Sequence, residues 1–213
     1  MALMGGAAIA IWSALDPGML EVHDAWHCGE HLAERLAIPG FLRGRRANAI
    51  DAADPEQRFI FYEIENIAVA TSAAYLARLN DPTPWSRKLM AASRLNRTLC
   101  RVVASEGFGV GGHLLALRIE KGEQLAKEIA ALARAPGIVG AHLLQKDTRV
   151  VRPVTGEEKL RHGGADASAE WILIVEAYAG EALERIALPP CEFSARYALA
   201  QVVDRARAVA LRC

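Results

Sequence analysis

The sequence lacks a surplus of charge of either sign, since its 213 residues include 25 lysines and arginines and 25 aspartates and glutamates. Nucleic-acid-binding proteins usually carry a basic excess, so this balance argues against a nucleic-acid partner. Cysteines are few and widely spaced: Cys28, Cys100, Cys191 and Cys213. With no Cys-x-x-Cys pair, the sequence excludes a disulfide framework or a zinc knuckle and favours a reducing, cytoplasmic setting.

Long apolar runs are also missing. The apolar segment 1–16 has no basic leader and is shorter than the roughly 20 residues that a membrane-spanning helix needs. We therefore predict no membrane partner and interpret this segment as a buried first strand, with a cleaved signal peptide as the alternative. The hydrophobic content of 52% indicates a folded chain with a sizeable core.

Two halves of the chain carry the same order of sequence patterns. A helical segment ends at a Pro-Gly pair before an apolar strand at Pro39-Gly40-Phe41 and again at Pro136-Gly137-Ile138. Other apolar runs match in the same order, namely 6–15 with 112–121, 58–66 with 170–178, and 96–104 with 194–203. Each half therefore predicts the order β-α-β-β-α-β, with 1–105 as the first unit and 106–213 as the second.

This order is typical of a ferredoxin-like unit, an antiparallel sheet with both helices on one face. The apolar runs do not alternate strictly, which indicates that both sheet faces are covered. We predict an α+β protein in which a tandem duplication packs two antiparallel sheets face to face. This arrangement resembles the dimeric α/β-barrel superfamily, here closed within one chain. A homodimer is therefore allowed but not required.

Two segments differ between the halves. In 81–93, Pro82 and Pro84 are expected to end the preceding helix, and Trp85 is expected to pack back against the body. The segment 147–168 is polar and glycine-rich, so we expect a mobile loop.

The segment 21–46 carries the most specific pattern. It follows W-x-x-x-E-H-x-x-E-R-x-x-x-P-G-F through Trp26, Glu30, His31, Glu34, Arg35 and Pro39-Gly40-Phe41. This pattern resembles the EthD-like proteins and their uncharacterised bacterial relatives. The chain departs from them at His27, where those relatives often carry tyrosine, and at Ala33, where they often carry proline. The second half has no such motif, so the resemblance implies one site per chain.

The resemblance implies a protein that binds or transforms a small, largely apolar metabolite in a cleft beside this helix. An enzyme of this type would be a monooxygenase, isomerase or dehydratase without a tightly bound cofactor. Some relatives place a histidine over haem, so a haem binder is a further alternative. The remaining alternatives are a non-catalytic ligand-binding protein and a structural or interaction module with a packed barrel.

Three histidines, His23, His27 and His31, recur every four residues on the predicted helix. The outer two lie about 12 Å apart along the helix axis, so one metal ion cannot bind both. A neighbouring pair could chelate a metal, but no segment offers an obvious third ligand. We therefore predict no metal site and name His31 and His27 as candidate acid/base residues, with Glu34 able to orient His31. The alternative is that His31 holds the helix on its sheet.

Trp26, Arg45 and Tyr62 are the candidate substrate-binding residues. If Arg43 and Arg45 face the barrel interior, they could hold an anionic group of a ligand. The favoured alternative is that they form salt bridges to Glu63 or Glu65 on the neighbouring strand.

Overall fold

The computed structural model describes residues 3–51, 53, 57–150, 154–160 and 168–206. It contains eight strands: β1 (Ala7–Leu15), β2 (Phe41–Ala49), β3 (Arg58–Ile64), β4 (Ser93–Gly107), β5 (His113–Ile119), β6 (Ile138–Lys146), β7 (Trp171–Ala177) and β8 (Phe193–Asp204). The strands close into one antiparallel barrel in the order β1-β3-β2-β8-β5-β7-β6-β4. The predicted α+β fold with an antiparallel barrel is confirmed.

Both halves have the same strand order, β4-β1-β3-β2 in the first and β8-β5-β7-β6 in the second. The β2–β8 and β4–β6 ladders join them, so the two predicted sheets form one continuous barrel wall. Closure removes the sheet edges that would otherwise expose unpaired backbone groups. Because β4 runs to Gly107, the predicted domain boundary at residue 105 lies within a strand, and the division into two domains stays a prediction.

The helices lie outside the barrel. They are α1 (Leu20–Trp26), α2 (Leu32–Leu36), α3 (Ala73–Asn80), α4 (Pro84–Ala91), α5 (Ile129–Leu132), α6 (Gly156–Leu160) and α7 (Gly180–Glu184). A π-helical segment, His27–His31, joins α1 to α2, and 3₁₀ turns occupy Pro17–Met19, Ile67–Thr71 and Glu123–Lys127. No helix among the described residues has the length and apolar composition that crossing a membrane requires.

The Pro-Gly pairs end the helical segments as predicted. Gly40 and Gly137 have φ values of 89° and 90°, a left-handed conformation that glycine adopts without steric cost. A Cβ atom at Gly40 would lie 2.4 Å from Val69 Cγ2, so this turn also needs the missing side chain for packing.

The prediction for Trp85 is wrong. Pro84 does not simply end a helix; it occupies the first turn of α4, where its missing N–H costs nothing. Thr83 caps this helix, since its Oγ1 accepts a hydrogen bond from the Ser86 N–H at 3.0 Å. The new helix leaves Trp85 exposed at the surface.

Three apolar layers follow from strand alternation. Ala8, Ala10 and Trp12 of β1 point into the barrel, where they meet side chains from all eight strands. Ala7 and Ile9 point outward and pack beneath the helices of the first half. A separate apolar cluster lies between the second half's strands and its short helices. The barrel interior is therefore distinct from the helix–sheet layer that carries the histidines.

The long segment of the second half reaches across to the first half. Within 147–168, the structure describes α6, while 151–153 and 161–167 lie outside the described residues, so the predicted mobile loop falls partly there. The Gly156 N–H donates a hydrogen bond to Asn80 Oδ1 at 2.9 Å. This contact seats α6 against the first half, beside the histidine-bearing helix.

Candidate functional site

The histidine-bearing helix contains an irregularity that the sequence did not predict. The Leu32 N–H donates to the carbonyl of His27, five residues back, which defines a π-helical turn. Such single turns are often found at functional sites. Gly29 lies in the middle of the segment and has low helix propensity, which is the one local signal available in the sequence.

The three histidines form a row between the helix and the outer face of the sheet. The ring centroids of His23 and His27, and those of His27 and His31, lie 5.8 Å apart. The residues are 2%, 0% and 6% exposed, respectively. They therefore face the helix–sheet layer and not the space between the two halves of the barrel.

Burial keeps the inner part of this row neutral. Removal of His27 from water lowers its pKa well below the ordinary value, and His23 and Arg46 act in the same direction. Burial also lowers the pKa of His23, partly opposed by a hydrogen bond to Asp24. Neutral imidazoles at pH 7 can accept a proton or a hydrogen bond, which is the form that a general base requires.

Tyr62 connects the row to the sheet. Its Oη lies 3.4 Å from His27 Nε2, and burial raises the pKa of the phenol. Tyr62 therefore stays protonated and can donate a hydrogen bond to His27 or to a ligand.

His31 stacks on Trp26, with ring centroids 4.1 Å apart. Its Nδ1 lies 3.7 Å from Glu34 Oε2, which is longer than a hydrogen bond. Glu34 instead forms an ion pair with Arg78, with 3.0 Å between Oε1 and Nη1, and burial raises the pKa of its carboxyl. The stacking on Trp26, whose Nε1 donates to Ser86 Oγ at 3.2 Å, therefore orients His31 more directly than the predicted Glu34 does.

A cavity of ≈ 30 Å³ opens beside His31. Its lining is mainly aromatic and apolar with a few charged groups, and includes His23, Trp26, His31, Arg35, Tyr62 and Glu157. A space of this volume accommodates one or two water molecules. One cavity is therefore lined by three of the predicted residues, Trp26, His31 and Tyr62. His27 contacts Tyr62 but does not line the cavity.

Two buried arginines in the cavity wall were not predicted as site residues. Arg35 of α2 pairs with Glu157, and Arg97 of β4 pairs with Glu158. Both glutamates belong to α6. Arg35 stands within the sequence motif, but its partner lies 122 residues away in a segment that carries no recognisable pattern.

Arg45 does not reach this cavity, because it points into the barrel. Its Nη2 donates to Glu63 Oε1 at 2.6 Å and its Nη1 donates to Glu176 Oε1 at 2.5 Å. His142 Nε2 lies 3.0 Å from the same Glu176 oxygen. The salt-bridge alternative describes these contacts, with Glu176 of the second half as a partner that the sequence did not reveal.

Neither a metal nor a haem has an evident place at the cavity. Within the described ranges, no three His, Cys, Asp or Glu side chains are grouped closely enough to hold an ion. Cofactor sites typically have volumes of roughly 300 Å³ or more, so the ≈ 30 Å³ beside His31 would hold a haem, like any larger ligand, only after part of its wall moved. The absence of a tightly bound cofactor stays a prediction.

A larger groove of ≈ 730 Å³ lies on the second half, between α7 and strands β5 and β8. Its charged groups are on the surface, where Arg196 bonds Glu184 at 2.6 Å. It contains no buried histidine, tyrosine or arginine among the described residues, so it offers less chemistry than the smaller cavity.

Comparison with known proteins defines the fold. No protein-family model matches the chain, and no curated protein matches it. A crystal structure of an anthrone oxidase-like protein has 9% sequence identity and a TM-score of 0.59 over 93% of this chain and 92% of that one. A proposed monooxygenase from Fusobacterium nucleatum has 8% identity and a TM-score of 0.53 over 95% and 96%.

A proposed chlorite dismutase also matches, with 11% identity and a TM-score of 0.50 over 99% of this chain and all of that chain (100%). At such low identity these similarities concern the fold and not the activity. Together with the strand order, they show that the chain has the fold of the ferredoxin-like dimeric α/β-barrel proteins.

Proposed function

We propose that this chain is an EthD-like protein that binds or transforms a small, largely apolar metabolite in the cavity beside the π-helical segment. The observation that carries the proposal is the meeting of His31, Trp26 and Tyr62 at one buried cavity. Aromatic walls favour an apolar body, while a few polar groups fix its orientation.

The chemistry that suits this arrangement is proton transfer. His31 lines the cavity and would accept a proton from an activated C–H or O–H group of the ligand. Tyr62 would donate its one hydroxyl proton to the oxygen that gains charge, and neutral His27, protonated on Nε2, would donate a hydrogen bond to the phenol oxygen. Isomerases, dehydratases and cofactor-free monooxygenases all use such a step, so the proposal concerns the shared step and leaves the reaction class open.

Solvent exchange tests the acid/base role. The probe is 2-tetralone in deuterated buffer, with deuterium uptake at its acidic carbon followed by NMR. The native protein is expected to accelerate uptake, and His31→Ala is expected to lose about a hundredfold or more of that acceleration. The matched control is His113→Ala, which removes a histidine outside the cavity. Equal rates for both variants would contradict the proposal.

A non-catalytic ligand-binding protein is the second candidate. The mainly aromatic and apolar lining of the cavity favours it, because such walls hold a ligand without supplying chemistry. Binding of a probe without exchange chemistry would support this candidate over an enzyme.

Three further predictions accompany the proposal. We infer that the halves arose by tandem duplication, which is supported by their shared strand order and by Glu63 and Glu176 at corresponding positions of β3 and β7. A homodimer and a cytoplasmic location stay predictions.

A further inference from the structure

The wall of the cavity contains two buried positive charges. Arg35 is 3% exposed and Arg97 is 5% exposed. Taking a guanidinium out of water is costly unless a negative group compensates it. Glu157 and Glu158 provide that compensation, so the closed cavity depends on two carboxylates from α6.

The helix α6 is a short covering element and not part of the barrel. It has five residues and is supplied by the second half of the chain. Thr155 bonds the Glu158 carboxylate through its N–H at 2.9 Å and its Oγ1 at 3.1 Å. Leu160 packs on the apolar cluster around Trp26. Glu157 itself lines the cavity, so movement of α6 would both enlarge the cavity and release Arg35.

The pairing of Arg35 with α6 is incomplete. Glu157 bonds Nη2 of Arg35, whereas the buried Nη1 has no hydrogen-bond partner among the described residues. A guanidinium presents a planar fork that a free carboxylate can engage through both nitrogens. A carboxylate carried by a ligand could therefore satisfy Arg35 more fully than Glu157 does.

The positive charge of Arg35 determines which type of ligand can take the place of Glu157. With α6 in place, its two glutamates offset the two arginines. A neutral ligand that displaced Glu157 would leave Arg35 buried without a counter-charge, which is strongly unfavourable. A ligand with one carboxylate would restore the ion pair of Arg35 while its apolar body occupied the aromatic part of the cavity.

We propose that α6 is an acidic strap whose Glu157 occupies the position of a ligand carboxylate on Arg35, so that the cavity's ligand is an organic acid with an aromatic or aliphatic body. This inference rests on the proposed function, since it names the ligand class of the same cavity. It also assigns Arg35 as the residue that determines specificity and makes the ligand and the strap mutually exclusive.

Calorimetric titration with benzoate and with its neutral isostere benzamide tests the inference. Because a hydrogen bond to a charged group contributes about 1.5–3 kcal/mol, the native chain should prefer benzoate by about tenfold or more. Glu157→Gln removes the competing carboxylate and should tighten benzoate binding by about tenfold, with little change for benzamide. Glu184→Gln, in the surface pair on the second half, is the matched control and should change neither.

Arg35→Gln should abolish the preference for benzoate. If that variant does not fold, Glu157→Gln alone decides the question, because it keeps the size and shape of the side chain. Equal affinities for benzoate and benzamide in both the native and Glu157→Gln proteins would overturn the organic-acid inference and leave the cavity as a binding site. Absence of binding of either probe to folded Glu157→Gln at millimolar concentration would overturn both the inference and the proposed function.

Discussion

Two buried polar clusters lie on opposite sides of the same barrel wall, and they differ in how completely their atoms are paired. Inside the barrel, Glu176 accepts from Arg45 and from the Gly111 N–H at 2.8 Å, while Glu63 accepts from Arg45 and from the Met4 N–H at 2.6 Å. Each carboxylate oxygen has a donor. Arg45, Glu63 and Glu176 therefore have the complete pairing expected of a structural network.

The cluster outside the wall is incomplete. Arg35 has a buried Nη1 without a hydrogen-bond partner among the described residues. This residue also borders a cavity. Buried polar groups are normally satisfied, so an unsatisfied group next to a space is a signal of ligand binding. Burial alone therefore does not distinguish the two clusters, whereas an unpaired Arg35 Nη1 beside a cavity does.

The largest expected effect comes from breaking the inner cluster. Glu176→Gln removes one partner of a buried ion pair and should lower the free energy of unfolding by about 3–5 kcal/mol. Urea denaturation measures this change. Glu184→Gln, in an exposed pair, should change stability by about 1 kcal/mol or less. Similar losses in the two variants would show that the inner cluster is not a structural network.

A smaller loss in the free energy of unfolding is expected at Gly44, where the histidine-bearing helix packs on the barrel wall. A Cβ at Gly44 of β2 would lie 2.3 Å from Leu32 Cδ1 and 3.1 Å from Tyr62 Cε1. Gly44→Ala should therefore cost about 1–3 kcal/mol through overpacking and should weaken benzoate binding by displacing Tyr62. Gly112→Ala is the control, since nothing lies within 4 Å of its added Cβ. Unchanged stability in Gly44→Ala would contradict the close helix–sheet packing.

A pH dependence should distinguish the outer histidine row. Burial lowers the folded-state pKa of His27 and His23, so the unfolded chain binds more protons below about pH 6.5. Their contribution to stability is therefore present above pH 6.5 and is lost as the pH falls toward their folded-state values. Urea midpoints should decline from pH 7 to pH 5, and His27→Gln should reduce that decline.

Glu34 provides a second test of the same pH dependence, because its protonation changes the stability in the opposite direction. Burial raises its folded-state pKa, so its protonation offsets part of the decline as the pH falls. Glu34→Gln should therefore make the decline steeper. A stability that is constant between pH 7 and pH 5 in all three proteins would contradict the assignment of His23 and His27 as buried, neutral side chains.

The smallest change in stability is expected from thiol labelling. It compares the solvent accessibility of the two regions without a mutation. Cys28 lies exposed on the π-helical segment, whereas Cys100 is buried inside the barrel, where burial raises the pKa of its thiol. A disulfide-exchange reagent should label Cys28 in the native protein, with little loss of stability, and should label Cys100 only after unfolding. Rapid native-state labelling of Cys100, detected by mass spectrometry of peptides, would show that the barrel interior opens readily.

Local patterns made most of the fold predictable. The apolar run predicted at 58–66 became β3 at Arg58–Ile64, and the Pro-Gly pairs became left-handed turns at Gly40 and Gly137. These features depend on residues that are near each other in the chain. The four-residue spacing of the histidines likewise predicted their shared face.

The missed features depend on contacts between distant residues. Glu157 meets Arg35 across 122 positions, and Arg45 meets Glu176 across 131, so no periodicity in the sequence could reveal either pair. The face of β2 on which Arg45 lies was open to two interpretations, because its polarity fits both a salt bridge and a ligand site. The π-helical turn also escaped prediction, since its single weak local signal is Gly29.

The indole N–H resonances of the tryptophans distinguish ligand binding in the outer cavity from binding inside the barrel. Trp26 lines the outer cavity and Trp12 lies inside the barrel, so each reports one of the two clusters. We would record ¹⁵N–¹H spectra of the Glu157→Gln protein during a benzoate titration, with Trp26→Phe used for assignment. We expect the Trp26 resonance to move with saturation while the Trp12 resonance stays in place. Movement of Trp12 with an unchanged Trp26 would place the ligand inside the barrel and rule out the cavity beside His31 as its site.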